Sequence, residues 1–370
     1  MRRIVYIHQQ KTWPDFFWNP SALQAELGMI RHMQGRVMGK MEALGFTLQE
    51  EAMLKTLTLD VVKSTEIEGE FLKPDQVRSS IARRLGMDIG GLVPSDRNVD
   101  GVVAMMLDAT QNFDLPLTKK RLCSWQASMF PSGQSGMYKI ITGNWRKDET
   151  GPMQVISGAM GKERVHFEAP AAEKLPEEMA AFMKWFNAKQ DLDPVIKAGV
   201  AHLWFVTIHP FEDGNGRIAR AITDMQLART DGSNQRFYSM SAQIRVERKG
   251  YYDMLEKTQQ GGLDITPWLA WFLQCLKSSL LATEGTLSEI LLKAKFWEKH
   301  SKTILNTRQQ QMLNKLMDGF EGNLTSSKWA KMTKSSPDTA LRDIQDLMNK
   351  GVLVKTPGSG RSTSYEVAPM

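Results

Sequence analysis

His209-Pro210-Phe211-Glu212-Asp213-Gly214-Asn215-Gly216-Arg217-Ile218-Ala219-Arg220 is the stretch on which the reading of this 370-residue chain turns. It has the make-up of a glycine-rich turn between two helices. Gly214 and Gly216 can take positive φ and let the backbone come close to a ligand. The turn opens a helix, whose free N–H groups and dipole favour phosphate. Arg217 and Arg220 are three apart on that helix and can point the same way. Two guanidinium groups beside such a nest suit a polyphosphate. Asp213 can hold Mg²⁺, which needs few protein ligands when phosphates supply the rest. His209, just before the turn, is placed to act as general base. The plain alternative is a tight turn between helices with surface arginines. Such a turn has no use for His, Asp, Asn, two Gly and two Arg together.

Outward from the turn, residues 195–208 are apolar on almost every face, which predicts a helix buried at a domain centre. His202 on that helix reads as a satisfied core histidine rather than a catalyst. A second helix is expected from Gly216 to about Thr230, and another over 176–188. Residues 131–170 are rich in Gly, Ser and Pro, with β-like pieces at 154–157 and 165–167, and read as a loop and hairpin region. Helices are expected at 98–112 and 118–129, with a break at 86–94. Further upstream, Leu23, Leu27, Ile30, Met33, Val37 and Met41 recur at helical spacing, Ser21 is a candidate N-cap, and helical character continues through 51–70.

Composition sets the outer bounds. Length predicts two or three domains. Apolar residues make up 42% and charged residues 24%, an ordinary soluble balance. The two cysteines, Cys123 and Cys275, are far apart and form no CxxC pair, so neither a disulfide framework nor a cysteine-rich zinc site is expected. No apolar run has the length of a signal peptide or a membrane helix, which predicts a cytoplasmic protein with no membrane partner. There is no GxxxxGK[ST] loop and no HExxH pattern. Net charge is +6, and residues 301–370 hold ten Lys/Arg against six Asp/Glu. That balance permits nucleic acid without demanding it.

The 209–220 stretch resembles the signature HPFx[D/E]GNGRxxR of the Fic family at every specified position. The resemblance implies a mainly α fold, a Fic helical core with a small β-hairpin flap. It implies an enzyme that moves AMP from ATP to a Ser, Thr or Tyr hydroxyl of a target protein or of itself, with Mg²⁺ as cofactor. In those roles His209 takes the proton of the target hydroxyl, and Asp213 binds Mg²⁺. Asn215 and the backbone of Gly214 and Gly216 hold the α- and β-phosphates. Arg217 grips the β-phosphate region, Arg220 the γ-phosphate, and Phe211 anchors the loop in the core. Glu212 falls at the variable position. Gly143-Asn144-Trp145-Arg146 followed by Met153, Gln154, Val155, Ile156, Ser157 and Gly158 looks like the flap that holds a target by strand addition. Tyr251-Tyr252 resembles a tyrosine pair near the adenine pocket, with ordinary helix packing as the alternative.

Ser64-Thr65-Glu66-Ile67-Glu68-Gly69 fits [S/T]xxxE[G/N], the inhibitory-helix motif found before the core of many such proteins. It implies that Glu68 pairs with Arg220 and displaces the γ-phosphate, with Ser64 fixing the helix. The alternative is a solvated acidic cluster with Glu66 and Glu70. Residues 1–60 resemble the helical extension of a subset of the family. The expected division is thus 1–60, a Fic domain at 61–295 with the inhibitory helix near 55–70, and a separate unit at 300–370.

In that last unit Thr307 can cap a helix to Met317, a short helix follows at 326–332, and Ser336-Pro337-Asp338 opens a third that ends at Lys350-Gly351. β-like runs at 352–355 and 364–367 flank Pro357-Gly358-Ser359-Gly360, the order of a winged helix-turn-helix. The helix at 338–349 can enter a DNA groove with Lys355 and Arg361 on phosphate, yet it carries Asp338, Asp343 and Asp346 against Arg342 and Lys350. Dimerisation, as a homodimer, or target docking is the alternative role. A nucleotide-sensing, DNA-binding regulator and a variant that removes AMP or transfers another phosphate group are the competing functions. The His209 base argues against a pure sensor.

Overall fold

A proline-opened helix comes first. α1 (Pro20–Glu42) starts at Pro20, whose missing N–H is no loss there, and it is capped by Asn19, which accepts from Ala22 N. Ser21 therefore lies inside the first turn and is not the N-cap expected of it. The computed structural model describes residues 5–44, 46–87, 91–149, 151–158, 161–317, 320, 322–356 and 363–369, with backbone alone at 46, 47, 284, 286, 288–290 and 294. Among them the chain forms two compact units, Met1–Glu284 and Gly285–Met370.

In the first unit α2 (Phe46–Ile67) stops at Ile67, three residues short of the expected 70. Gly69 takes φ +85 and turns the chain, so Glu68 and Glu70 leave the helix axis. α3 (Pro74–Leu85), which the sequence reading did not separate, ends on left-handed Gly86. α4 (Arg97–Gln111) and α5 (Lys119–Met129) follow, the latter capped by Thr118. Two short antiparallel hairpins come next. β1 (Gln134–Ser135) pairs with β2 (Tyr138–Lys139), and β3 (Gln154–Ser157) with β4 (Arg164–Glu168). The second pair has a register shift at Val155/Ile156.

α6 (Leu175–Asn187), α7 (Pro194–Ile208) and α8 (Asn215–Asp231) form the centre. α7 is capped by Asp193, whose carboxylate accepts from Val195 N at 2.7 Å, and every residue from Val195 to Ile208 is buried. A helix with no polar face has to be enclosed, and α7 packs on α6 and α8. α8 also meets α4, α5 and α2. α9 (Met240–Val246), α10 (Arg248–Gln259) and α11 (Thr266–Lys299) complete the helices of this unit, and the division between units falls within α11. No helix among the described residues is long and apolar enough to cross a membrane.

The second unit holds α12 (Thr307–Met317), α13 (Ser326–Thr333), α14 (Pro337–Asn349) and an antiparallel pair, β5 (Leu353–Lys355) with β6 (Tyr365–Val367). Its own core includes Phe296, Leu313, Trp329 and Leu347. Asn306, not Thr307, caps α12: its Oδ1 accepts from Gln309 N at 3.0 Å, and Gln309 Oε1 accepts from Asn306 N at 2.9 Å. Two of the carboxylates on α14 are engaged within the unit. Asp343 is buried against Arg308 at 2.8 Å and Asn306 at 2.9 Å, and Asp346 accepts from Gln309 and Lys350. The turn Pro357-Gly358-Ser359-Gly360 and Arg361 lie outside the described residues.

Candidate active site

His209 ends α7 in the left-handed region, φ 52 and ψ 57, where a side chain costs roughly 1–2 kcal/mol. Three contacts hold it. Its N–H donates to Phe205 O at 3.1 Å, Arg146 Nε donates to its carbonyl at 2.8 Å, and Arg146 N donates to Pro210 O at 2.9 Å. Arg146 also donates to Pro170 O at 2.5 Å and pairs with Asp148. One buried guanidinium thus ties the segment before the flap to the motif, and spacing in the sequence gives no sign of it. Trp145, whose role the sequence left open, packs against Phe211 with ring centroids 5.0 Å apart, and Phe211 is fully buried as the anchor of the loop.

The His209 ring lies 3.2 Å from Val206 O through Nδ1. A carbonyl only accepts, so Nδ1 carries the proton and Nε2 keeps a lone pair. Burial, with the nearby Arg146 charge, pushes the imidazole down to about 4, so it is neutral near pH 7. His202 is buried between Thr223 Oγ1 at 2.9 Å and Tyr251 OH at 2.8 Å, the partners that satisfy a core histidine.

The turn itself differs from the expectation in two places. Gly214 has φ +91, and a Cβ there would meet Met129 Cε at 2.8 Å. Gly216 has no positive φ. It is helical, and a Cβ on it would stand 2.2 Å from Glu68 Oε1. Its bareness makes room for that carboxylate. The Asn215 amide is used at both ends on the loop backbone, accepting from Phe211 N at 3.0 Å and donating to Phe211 O at 2.8 Å. Its side chain therefore shapes the turn. Glu212, placed at a variable position, accepts from Ile141 N at 2.8 Å.

Arg220, 1% exposed, donates from Nη2 to Glu68 Oε1 at 2.7 Å and to Ser64 O at 2.8 Å, and from Nε to Ser64 Oγ at 2.8 Å. Residues 64, 68 and 220 thus meet across more than 150 positions. Arg217, likewise buried, sits over the Phe130 ring and donates from Nη1 to Glu70 Oε2 at 2.9 Å. Both guanidinium groups keep a buried donor without a partner, Arg217 Nε and Arg220 Nη1. Asp213 accepts from Gly214 N at 2.5 Å and from Ser135 Oγ, and lies 3.6 Å from Arg217 Nη2. No group of three or more His, Cys, Asp or Glu side chains that could hold a metal ion occurs among the described residues.

A cavity of about 600 Å³ joins His209, Gly216 and Glu68 to Tyr251, Tyr252 and the flap residues 154–157. Met153 packs beside the flap base near Phe167. Among the described residues β3 pairs only with β4, so its outer edge is open, and Ile156 is 55% exposed on it. Tyr251 is buried in the cavity wall. Tyr252 is pushed up to about 12 by burial and by the Glu68 charge. Arg248, which the sequence reading missed, stacks on Tyr252 and donates to Ile67 O at 2.7 Å, closing the end of α2.

Comparison with known proteins falls on the same residues. The sequence model of the Fic/DOC family matches residues 116–227, and a domain of unknown function, DUF4172, matches residues 6–87. The chain is 34% identical over 224 residues to the protein adenylyltransferase Fic of Drosophila grimshawi, covering 60% of this chain and 41% of that protein. It is 30% identical over 186 residues to the protein adenylyltransferase fic-1 of Caenorhabditis briggsae, covering 50% and 34%. The chain thus spans well under half the length of these relatives. Among solved structures, a Fic family protein from Desulfovibrio desulfuricans G20 superposes with a TM-score of 0.53 at 18% identity, covering 96% of this chain and 98% of that one. Fic-1 of Caenorhabditis elegans gives 0.51 at 20% identity, covering 73% and 74%. At these identities the likeness is one of fold. The family match lies over α5 to α8, the stretch that builds the turn from His209 to Arg220, so it is residues 116–227 of this chain that are similar to the Fic/DOC family.

Proposed function

We propose that this chain transfers AMP from ATP to a Ser, Thr or Tyr hydroxyl of a protein, itself included, and that Glu68 holds the site off. The observation that carries the reading is the pair of buried arginines at the start of α8, each with an unpartnered N–H, beside a cavity lined by His209, Gly216 and the Glu68 that pairs with Arg220. Buried guanidinium donors are costly unless a strong acceptor completes them, and a triphosphate supplies such acceptors. His209 Nε2 takes the proton of the target hydroxyl. The hydroxyl oxygen bonds to the α-phosphorus, the bond from that phosphorus to the β-phosphate bridging oxygen breaks, and pyrophosphate leaves. Mg²⁺ on Asp213 would neutralise phosphate charge. The open edge of β3 would hold the target segment by strand addition. The relatives named protein adenylyltransferase agree with this reading.

The test is incubation with α-labelled ATP and Mg²⁺, followed by a search for label on the chain and on added proteins. Wild type or a Glu68 variant should take up label. His209→Ala should lose it by a factor on the order of 10²–10⁴ while ATP still binds. Labelling of His209→Ala at the wild-type rate would overturn the assignment of the base.

A further inference from the structure

The last turn of α2 and the residues after it carry three carboxylates, Glu66, Glu68 and Glu70, and they part ways. Glu66 turns to Lys63 at 2.9 Å and to Arg245 at 3.4 Å, on the outer side of the helix. Glu68 goes to Arg220. Glu70, two residues further, goes to Arg217. Gly69 makes this possible: with φ +85 it folds the chain back, so that residues on either side of it reach the same face of α8. Arg217 and Arg220 are themselves one turn apart on that face.

We propose that Glu70 is a second inhibitory residue, which occupies Arg217 as Glu68 occupies Arg220. The inference rests on the reading of the site given above. It concerns the first arginine, for which the inhibitory motif itself provides no partner. Arg217 has three places for a ligand. Nη1 is taken by Glu70 at 2.9 Å, and Nη2 stands 3.6 Å from Asp213. Nε is buried with no partner. Phosphate grips a guanidinium best through two neighbouring N–H groups. With Nη1 engaged, the outer edge of the fork is closed to it, and the Glu70 charge repels an incoming anion. The pair is unequal in a way that suits a brake. The Arg217 side chain is 2% exposed and fixed over Phe130, whereas the Glu70 side chain is 50% exposed and can swing into water at little cost.

The two carboxylates act on different phosphates, so two nucleotides separate them. Arg217 is assigned to the β-phosphate and Arg220 to the γ-phosphate. ADP has only the first contact to lose. Calorimetric titration of ADP and ATP with Mg²⁺ should be made on wild type, Glu68→Gly, Glu70→Gln and Glu70→Ala. Glu70→Gln keeps the shape and removes the charge, and Glu70→Ala removes both. Both Glu70 variants should bind ADP about 1.5- to fivefold more tightly than wild type, the size expected for one partly exposed ion pair. Glu68→Gly should improve ATP binding far more than ADP binding. If Glu70 instead steadied Arg217 for the nucleotide, both Glu70 variants would bind ADP more weakly. That result, or unchanged ADP affinity in both, would overturn the inference while leaving the site reading in place. Failure of all four proteins to bind either nucleotide would remove the site reading, and this inference with it.

Discussion

At the scale of the residue, His209 is the base of the proposed reaction, and its surroundings set its working range. Its folded value of about 4 lies below the ordinary histidine value of about 6.5. A base must be neutral to take a proton, so the acid limb of AMP transfer should fall near pH 4 to 5 and not near 6.5. Label incorporation measured from pH 4 to 8 in the Glu68→Gly background checks this, and a half-point at 6.5 would mean that the ring is solvated in the working enzyme. The same shift has a stability side. His202 is pushed to about 3 by burial and the Arg220 charge, so both rings bind protons more readily unfolded than folded. Their contribution is whole above about 6.5 and is lost as pH falls toward the folded values. His209, Asp213, Arg217 and Arg220 were legible in the sequence because they sit within twelve residues of one another. The contacts of Arg146, Arg248 and Glu70 were not, because each meets its partner across 63, 181 and 147 positions and none belongs to a motif pair such as Glu68 with Arg220. No local pattern encodes a contact of that kind.

At the scale of the element, α2 is a core helix and, in the proposed reading, the carrier of the brake. Leu57, Val61 and Thr65 are buried, and the same helix brings Ser64 onto Arg220 at 2.8 Å. Glu68 then enters over Gly216, where a Cβ would collide with it. Replacing Glu68 with Gly removes the charge that competes with phosphate and frees Nη2 of Arg220. Auto-modification should rise strongly over wild type, and addition of His209→Ala should silence it. Equal labelling by wild type and Glu68→Gly would remove the inhibitory role. Long helices such as α7 and α8 were readable because burial imprints a continuous or periodic apolar pattern over four turns. The α2–α3 separation was missed, since it rests on the left-handed turn at Gly69 and on Pro74 at the start of α3. β1 and β2 were missed because two-residue strands have no alternation to read. Capping was the least legible part: Asn19 and Asn306 stand two and one positions before Ser21 and Thr307, the residues expected to cap.

At the scale of the whole molecule, the nucleotide site and the C-terminal helices draw on separate cores. All residues of the proposed site lie before 260, within the first unit. The second unit closes on Trp329, fully buried among Leu313, Ile344 and Leu347. Its polar ties are internal as well, since Asp343 joins α14 to Arg308 and Asn306. Cutting Trp329 to Ala would leave a cavity worth roughly 3–5 kcal/mol, a large part of what a unit of this size can have. If each unit is held by its own core, Trp329→Ala should melt the second and leave the first standing. Limited proteolysis should then release a fragment that ends beyond residue 284. Mg-ATP affinity of the intact variant and its auto-labelling in the Glu68→Gly background should match the corresponding proteins with Trp329. Loss of nucleotide binding in Trp329→Ala would mean instead that the site depends on the second unit, and that the two fold as one.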